Sequence, residues 1–244
     1  MLIVALVVLA VFVGALTRAT FGFGEAVVSM PLLALLPVSL HTSASLVGLA
    51  GLTVALLSTV RGFRSVDRPA LVRLSVGTVL GIPCGVALLL YVPAPVMSTG
   101  LGAFLVLYGG YALLPTPRTG DVGTGWAYPT GLLAGALGSA YNFNGVPVVV
   151  YGTLRRWPPP VFRGTLQAHF LVSGVLVVGG QALGGVWTSD LPLLFALSLP
   201  AIVLATWAGH ALHRRIPAHR FDRYVYVLVT VLGLVLVVRG ATSL

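Results

Sequence analysis

Two charged side chains, Arg18 and Glu25, lie in an otherwise apolar stretch near the beginning of the chain. An ion within apolar sequence is unfavourable unless it is paired, so such residues are functional candidates by default. A separation of about two helical turns would place them on one face of a continuous helix, whereas a break at Gly22 and Gly24 would bring them together from two half-helices. Three interpretations stay open: a structural ion pair, an anion-binding Arg18 with Glu25 balancing the charge or carrying a proton, and side chains that reach a membrane interface.

A second polar segment, residues 141–145 (Tyr-Asn-Phe-Asn-Gly), interrupts apolar sequence later in the chain and is followed by Pro147. The glycine and the proline predict the beginning of a new half-helix, whose backbone N–H groups and dipole attract anions. The side-chain amides of Asn142 and Asn144 can donate further hydrogen bonds. Asparagine also caps helix ends, and the two roles are compatible.

Polar side chains also occur within the apolar run 161–183, at Gln167 and His169. A histidine inside a membrane helix is either a hydrogen-bond donor to a neighbouring helix or a proton relay. Together with the two breaks, these positions give a predicted substrate-binding set. Its members are Arg18, Thr20, Gly22, Gly24, Glu25, Ser43, Asn142, Asn144, Gly145, Gln167 and His169.

The composition defines the class of protein that must position these residues. The chain has 244 residues, is 57% hydrophobic and 8% charged, and has a mean hydropathy of +1.02. A soluble domain carries about 25% charged residues, so this chain cannot cover a water-facing surface. The composition excludes a soluble enzyme, a nucleic-acid-binding protein and a disordered tail. Long apolar runs with few charges are typical of membrane helices, and we predict an all-α polytopic membrane protein.

The charges and the cysteine count narrow the possible partners. All 14 basic residues are arginines, against five acidic residues, and the net charge is +9. A basic protein can bind nucleic acid, but arginines in the loops of a membrane protein orient its helices, so no nucleic-acid partner is expected. The single cysteine, Cys84, excludes an internal disulfide, a CxxC pair and a cysteine zinc site. No cofactor and no metal are expected.

Arginine, proline and glycine clusters divide the chain into apolar segments. These segments are 2–16, 26–40, 42–60, 69–92, 94–114, 126–141, 146–154, 161–183, 191–212 and 221–240. Segment 2–16 has no basic residues before it and is expected to belong to the mature protein. The stretch 115–125 is rich in proline, glycine and threonine and predicts a linker. We therefore predict a single integral membrane domain with a first repeat over 1–114 and a second over 126–244.

The two halves are related in sequence. Aligned without a gap, residues 14–37 and 135–158 are identical at nine of 24 positions, including Gly24 with Gly145 and Pro37 with Pro158. Leucine and valine are so common in this chain that they match by chance. Matches of glycine and proline near both breaks are less easily explained in this way. The alignment indicates an internal duplication.

The positions of the arginines favour one orientation of the repeats. If each broken pair crosses the membrane once, seven arginines in 155–163 and 213–223 would lie outside, against the positive-inside rule. If each broken pair enters and leaves on one side, eleven of the 14 arginines lie in cytoplasmic loops. Those loops are 61–68, 115–125, 155–163 and 213–223, whereas the outside loops 37–43, 91–96 and 184–190 carry none.

The second orientation makes the two repeats inverted, each with a broken pair followed by three transmembrane helices. Each broken pair is either a re-entrant hairpin or two tilted spans, and the shortness of 146–154 favours the hairpin. Non-helical backbone at membrane depth is tolerated where protein or a cavity satisfies it. The two breaks are therefore expected to meet near the midplane and to line a site.

The sequence resembles the sulfite exporter TauE/SafE family of membrane transporters in four segments. These are the glycine-rich 14–25, the Pro37 to Ala44 segment that begins the next helix, the Leu80–Gly85 helix segment, and Phe162 to Thr165 in the second half. The resemblance implies transport of sulfite, a sulfonate or another small organosulfur or carboxylate anion, with export as the direction. It also implies a multi-pass protein of a bacterial plasma membrane, without enzymatic activity.

Secondary transport by alternating access is thus the predicted function. The partners would be the anion, the lipid bilayer and co-transported protons or another ion, and oligomer formation stays open. The alternative is an anion channel or a membrane-embedded subunit without a transport cycle. An intramembrane protease is disfavoured because the Gly138-Ser139 pair lacks the Gly-x-Ser-Gly pattern of rhomboid-like enzymes.

Overall fold

The computed structural model describes residues 1–59, 65–113, 122–213 and 230–238, and within these ranges the protein is α-helical, as predicted. Within the described residues the helices are α1 (Leu2–Phe21), α2 (Glu25–Ala34), α3 (Leu40–Thr59), α4 (Arg68–Tyr91), α5 (Ala94–Leu113), α6 (Ala127–Tyr141), α7 (Gly145–Leu154), α8 (Pro159–Leu183) and α9 (Leu191–His213). Residues 230–238 are also helical. Most of the predicted linker 115–125, the loop 213–223 and the rest of the last segment lie outside the described residues.

Helix length separates spanning helices from half-helices. Five of the described helices, α1, α3, α4, α8 and α9, are long and apolar enough to cross a membrane. In contrast, α2 and α7 have ten residues each, which is about 15 Å at the α-helical rise. The hydrocarbon core is about 30 Å thick, so each of these two helices reaches about halfway.

The apolar segments 2–16 and 26–40 predicted a break over the residues between them, Thr17 to Glu25, but the break in the structure is shorter. Helix α1 continues to Phe21, and only Gly22, Phe23 and Gly24 are non-helical. Both glycines adopt left-handed backbone angles, with φ of 88° and 93°, which a residue with a Cβ adopts only with strain. The polar residues before them stay helical because the hydroxyl groups of Thr17 and Thr20 donate to the carbonyl oxygens one turn earlier.

Helices α1 and α2 form an antiparallel hairpin around this break. The hydroxyl of Ser29 donates to the carbonyl oxygen of Ala10 over 3.0 Å. A side chain at Gly14 would collide with Ser29, so the absence of a Cβ lets the two helices approach closely. Residues later in α2 thus lie beside residues earlier in α1, and the chain returns toward the end from which it came.

The second break is built differently. Asn142 ends α6 in a left-handed conformation, with φ of 61°, which asparagine tolerates better than most residues. Its backbone N–H donates to the carbonyl oxygen of Gly138 and that of Phe143 donates to the carbonyl oxygen of Leu137, so two carbonyl oxygens in the last turns of α6 are satisfied. Helix α7 then begins at Gly145, after three connecting residues.

Hydrogen bonds place the described loops at two ends of the helical bundle. At one end, Trp157 donates to the carboxylate of Asp67 over 3.2 Å and Arg155 donates to the carbonyl oxygen of Val122 over 3.2 Å. We call this end, which also carries Arg68, Arg156 and Arg163, the arginine end. At the opposite end, the hydroxyl groups of Thr42 and Thr188 are 2.8 Å apart.

The two halves are joined through close helix pairs. Helix α4 packs most extensively on α6, and α1 on α9. In the first pair, Gly77, Gly81 and Gly85 of α4 meet the backbone of α6 at successively later residues, so the two helices run in the same direction, away from the arginine end. In the second pair, Gly209 near the end of α9 lies against Ala19 near the end of α1. Helix α1 therefore runs toward the arginine end, opposite to α6.

Helix boundaries repeat along the chain. Helices α2 and α7 begin 120 residues apart, α3 and α8 begin 119 apart, and α4 and α9 begin 123 apart. These spacings match the offset of 121 at which residues 14–37 align with 135–158. The helix boundaries of the two parts of the chain are thus spaced at close to the offset of the predicted duplication.

Asp67 stabilises the arginine end, and we expect its replacement by alanine to lower thermal stability. Its carboxylate caps α4 by accepting from the backbone N–H of Ala70 over 3.0 Å, and it also accepts the bond from Trp157. Loss of such a cap costs about 0.5–2 kcal/mol. Thermal unfolding of Asp67→Ala in detergent measures the loss. Asp67→Asn keeps a carbonyl oxygen and should lose less, so equal effects of the two variants would contradict this role.

Candidate functional site

One cavity connects the two breaks. Its wall includes Gly24 and Glu25 from the first break and Asn142, Asn144 and Gly145 from the second. The middle parts of α3 and α8 also line it, through Val47, Gly48, Gly51 and Leu52 and through Phe170, Gly174, Val177 and Val178. The cavity holds about 560 Å³ of empty space, counted with its open mouth. We call it the central cavity.

Arg18 and Glu25 form a buried ion pair in the wall of the central cavity. Nη1 of Arg18 lies 2.9 Å from Oε2 of Glu25, and the two residues are only 8% and 4% exposed. They come from two helices, α1 and α2, so the arrangement across the glycine break is the one that the structure adopts. The pair satisfies the structural interpretation and still leaves part of the guanidinium available.

The helix ends favour both charges of this pair. Arg18 lies in the last turn of α1, where the helix dipole is negative, and Glu25 is the first residue of α2, where it is positive. Charges placed in this way are stabilised by about 0.3–1 kcal/mol each at exposed sites, and by more when partly buried. The break therefore creates two helix ends that help to hold an ion pair inside an apolar protein.

Two neighbouring helices shape the space around Arg18. The guanidinium carbon lies 4.5 Å from the ring centre of Phe170 on α8, which is a cation–π contact. A Cβ on Gly51 of α3 would lie 2.9 Å from Nη1 of Arg18 and 3.0 Å from Oε2 of Glu25. The ring and the glycine hold the guanidinium in place without supplying a hydrogen-bond acceptor.

Several polar atoms of the pair have no hydrogen-bond partner among the described residues. They are Nε and Nη2 of Arg18 and Oε1 of Glu25, and all three are buried. A guanidinium offers five N–H groups in one plane, a geometry that matches an oxyanion. Buried polar groups are normally bonded, so the free edge of Arg18 marks a place for an acceptor.

The two asparagines of the second break bind other helices. The amide of Asn142 donates to the carbonyl oxygen of Ala44 on α3, and the amide of Asn144 donates to the hydroxyl of Ser173 on α8 over 2.7 Å. Each amide nitrogen has a second N–H. The asparagines thus position the break, and Asn144 begins α7 without a capping bond from its side chain.

Two half-helices begin at the central cavity. Residues 24–27 of α2 and 144–146 of α7 lie in its wall. Unpaired backbone N–H groups and the positive end of the dipole make a helix beginning favourable for an anion. Pro147 has no N–H and Val146 donates to Phe143, so α7 contributes mainly through its dipole.

Three predicted site residues, Thr20, Gly22 and Gln167, line a different cavity, nearer the arginine end. Arg18, Ser58, Arg163 and His210 also line it, and we call it the end cavity. Within it, the amide of Gln167 donates to the carbonyl oxygen of Gly22 over 2.9 Å. Arg18 belongs to the walls of both cavities.

Two predicted site residues line neither cavity. Ser43 is 1% exposed and His169 is fully buried. Nε2 of His169 lies 3.1 Å from the hydroxyl of Thr78 on α4. This contact agrees with the interpretation of His169 as a hydrogen-bonding link between helices.

Sequence reasoning missed contributors that come from distant helices. Phe170 and Gly51 contact the ion pair, but both lie in apolar runs. Nothing in the sequence distinguishes them from the other apolar residues of those runs. Arg163 was assigned to a topological loop, whereas α8 begins at Pro159 and Arg163 lies one turn inside it. Its spacing of four from Gln167 was the available signal, because residues at i and i+4 share a helix face.

Comparison with known proteins identifies the family. No curated protein and no solved structure shows significant similarity to this chain. The sequence model of the family described as sulfite exporter TauE/SafE matches residues 6–236, nearly the whole chain. Its members are membrane transporters of sulfur anions, which agrees with the apolar helices that surround the two breaks. The chain belongs to the sulfite exporter TauE/SafE family.

Proposed function

We propose that the protein is a secondary active transporter that carries a small anion, sulfite or a sulfonate, through the central cavity. The observation that carries this proposal is that Arg18, whose buried Nε and Nη2 have no partner among the described residues, lines a cavity shared by both helix breaks. Family membership supports a sulfur anion. A small carboxylate has similar oxygen acceptors, and the transport measurements below compare the two classes.

Each part of the central cavity has a proposed role. Arg18 holds the anion through Nε and Nη2 while Nη1 stays on Glu25. The beginnings of α2 and α7 add positive potential, and Asn142 and Asn144 keep the second break in place. Glu25 balances the charge of Arg18 and is the proposed carrier of a coupled proton.

Alternating access through inverted halves is the proposed transport cycle. Its support is that α1 and α6, the first helices of the two halves, run in opposite directions. The arginine end is assigned to the cytoplasm by the positive-inside rule, and the proposed direction is export. The proposal involves no catalysis and no cofactor.

Transport by purified protein in liposomes tests this function. Vesicles that contain the protein should take up labelled sulfite, methanesulfonate or acetate with saturation. Uptake should be faster into vesicles loaded with the same unlabelled anion than into vesicles without it. Liposomes without protein and the variant Arg68→Gln, at an exposed position, are the controls. Flux that rises linearly with concentration and is not stimulated from the far side would indicate a channel. Absence of flux for all three anions would contradict anion transport.

A further inference from the structure

Two amide side chains converge on Gly48 of α3, beside the second break. Asn142 ends α6, and Gln181 lies in the last turn of α8. A Cβ on Gly48 would lie 3.0 Å from Oδ1 of Asn142 and 3.2 Å from Oε1 of Gln181. Gly48 and Asn142 line the central cavity, so this point lies at its wall. We call these three residues the amide cluster.

Hydrogen bonds fix the orientation of both amides. The nitrogen of Asn142 donates to the carbonyl oxygen of Ala44, and Nε2 of Gln181 donates to the carbonyl oxygen of Ser139 over 2.8 Å. A carbonyl oxygen only accepts, so neither amide can exchange its nitrogen and oxygen without losing its bond. Two oxygen atoms, rather than a donor and an acceptor, therefore face the same point beside Gly48.

One of these oxygen atoms lacks a partner. Gln181 is fully buried, and its Oε1 accepts no hydrogen bond from the described residues. The hydroxyl of Ser45, which is also fully buried and unbonded among them, lies one turn before Gly48 on the same face of α3. Buried polar atoms normally have a partner in the protein or in a bound species. The amide cluster therefore has the features of a binding site.

The atoms that face this point favour a cation. Hard cations bind amide, carbonyl and hydroxyl oxygens, and transporters bind coupling cations where broken helices end. Asn142 is at the end of α6, where the helix dipole is negative. The two charged residues of the cavity wall, Arg18 and Glu25, offset each other. Neutral oxygen ligands suit a monovalent ion, because carboxylates usually hold divalent ones.

We propose that the amide cluster binds a sodium ion, which Asn142 and Gln181 hold through their amide oxygens and Ser45 through its hydroxyl. Sodium is then a second coupled ion, besides the proton assigned to Glu25. Its role as a co-transported ion rests on the proposed function, whereas the existence of the site does not.

The sodium site lies close to the proposed anion site. Gly51 follows Gly48 by one turn on the same face of α3, and a Cβ on Gly51 would lie 2.9 Å from Nη1 of Arg18. Neighbouring positions on one helix face are about 5–6 Å apart, and opposite charges at such a separation attract each other. Sodium and the anion should therefore each raise the affinity of the protein for the other by the same factor.

Thermal unfolding in detergent tests the sodium site without any need for transport. The protein is heated in sodium chloride and in choline chloride of equal concentration, so that ionic strength and chloride are the same. We expect a saturable rise in melting temperature of at least about 2 °C in sodium, by the linkage of binding to stability. Equal melting temperatures in the two salts would overturn the proposal.

Two glycine variants locate the sodium effect. Gly48→Ala places a methyl group at the point that both amide oxygens face, and it should remove the difference between sodium and choline. Gly174→Ala is the matched control, because it adds a methyl group to the same cavity wall where the nearest atom is Cδ1 of Leu52, at 3.3 Å. The difference should remain in this control. A sodium effect that survives in Gly48→Ala would contradict the site.

Gln181→Met covers failure of Gly48→Ala to fold. Methionine keeps the length of the side chain but removes Oε1 and the bond to Ser139, so stability in choline should fall. Sodium and choline are compared within the variant, and the rise in sodium should be lost. A rise equal to that of the original protein would exclude Gln181 as a ligand and overturn the proposal.

Sulfite, added as its choline salt, tests the coupling between the two ions. The concentration that gives half of the stabilisation by sulfite should be at least about fivefold lower in sodium than in choline. Gly48→Ala should abolish this ratio. Equal concentrations in the two salts would overturn the coupling. Absence of anion flux in liposomes, with the sodium effect on melting intact, would instead reject the transport function and keep the site.

Discussion

Replacement of both members of the buried pair, Arg18→Gln with Glu25→Gln, is expected to leave the protein folded and to lower anion flux at least about 100-fold. Gln at position 25 keeps the size of the glutamate, Gln at position 18 is shorter than the arginine but stays polar, and the net charge of the site is unchanged because both charges are removed. The anion, however, loses its guanidinium. A 100-fold loss corresponds to about 2.7 kcal/mol, within the range of about 2–5 kcal/mol for truncating a buried charged hydrogen-bond partner.

The double variant separates the two interpretations of the pair, which a single variant does not. Arg18→Ala leaves the carboxylate of Glu25 buried without a partner, which destabilises a protein by about 3–5 kcal/mol. Loss of flux would then follow from misfolding alone. Flux of the double variant in liposomes is therefore measured beside its thermal unfolding. A folded double variant with the flux of the original protein would assign the pair a structural role only.

Glu25→Gln alone distinguishes charge balance from proton coupling. This variant keeps Arg18 charged, and the amide oxygen of the glutamine can still accept from Arg18, so we expect the protein to fold, which thermal unfolding checks, and the anion can still bind. If Glu25 carries a coupled proton, flux driven by a pH gradient should disappear, while exchange of labelled for unlabelled anion should continue. Gradient-driven flux equal to that of the original protein would exclude Glu25 as the proton carrier.

Most of the fold could be predicted from the sequence because lipid imposes a simple rule on it. Long uncharged runs must be helices at membrane depth, and every helix from α1 to α9 corresponds to one predicted segment. The predicted duplication related Gly24 to Gly145, and these two glycines lie beside two breaks that line one cavity. The first break was predicted too long because Thr17 and Thr20 are polar. Their hydroxyl groups bond to the helix itself, which makes them compatible with it.

The site was less predictable, because it depends on contacts between helices that are far apart in sequence. Arg18 and Glu25 could be found because charge in an apolar segment is rare. Phe170 and Gly51 shape the space around the ion pair and carry no charge. Their role follows only from the packing of α3 and α8 against Arg18, which the sequence does not show. Asn142 and Asn144 were found as polar residues, but their bonds to α3 and α8 could not be deduced from local sequence.

Close glycine contacts join the halves of the protein, so they set how the site is held. Gly77, Gly81 and Gly85 of α4 face α6, while Gly131 and Gly135 of α6 face α4. Membrane helices gain little hydrophobic free energy from association and depend on such close backbone contact. Since α4 precedes the predicted linker 115–125 and α6 follows it, this contact joins the two parts of the chain.

Gly81→Ala adds only one methyl group, but we therefore expect it to destabilise the protein strongly. That methyl would collide with the backbone oxygen of Leu132 and lie 2.9 Å from the nitrogen of Ala136, and neither backbone atom can rotate away as a side chain would. Overpacking costs about 1–3 kcal/mol and occasionally more. Because the colliding atoms belong to the backbone, we expect the upper part of this range, which exceeds the gain of about 1 kcal/mol in helix propensity from glycine to alanine.

Gly179→Ala in α8 is the matched control, because no described residue lies within 4 Å of the added methyl group. It gains the same helix propensity without the collision and should be as stable as the original protein or slightly more so. Thermal unfolding in detergent measures both variants, and Gly81→Val should extend the loss because a larger group must move α4 further from α6. Equal melting temperatures for Gly81→Ala and Gly179→Ala would contradict the close contact. A lower one for Gly81→Ala alone would show that backbone contact between α4 and α6 holds the two halves together around the central cavity.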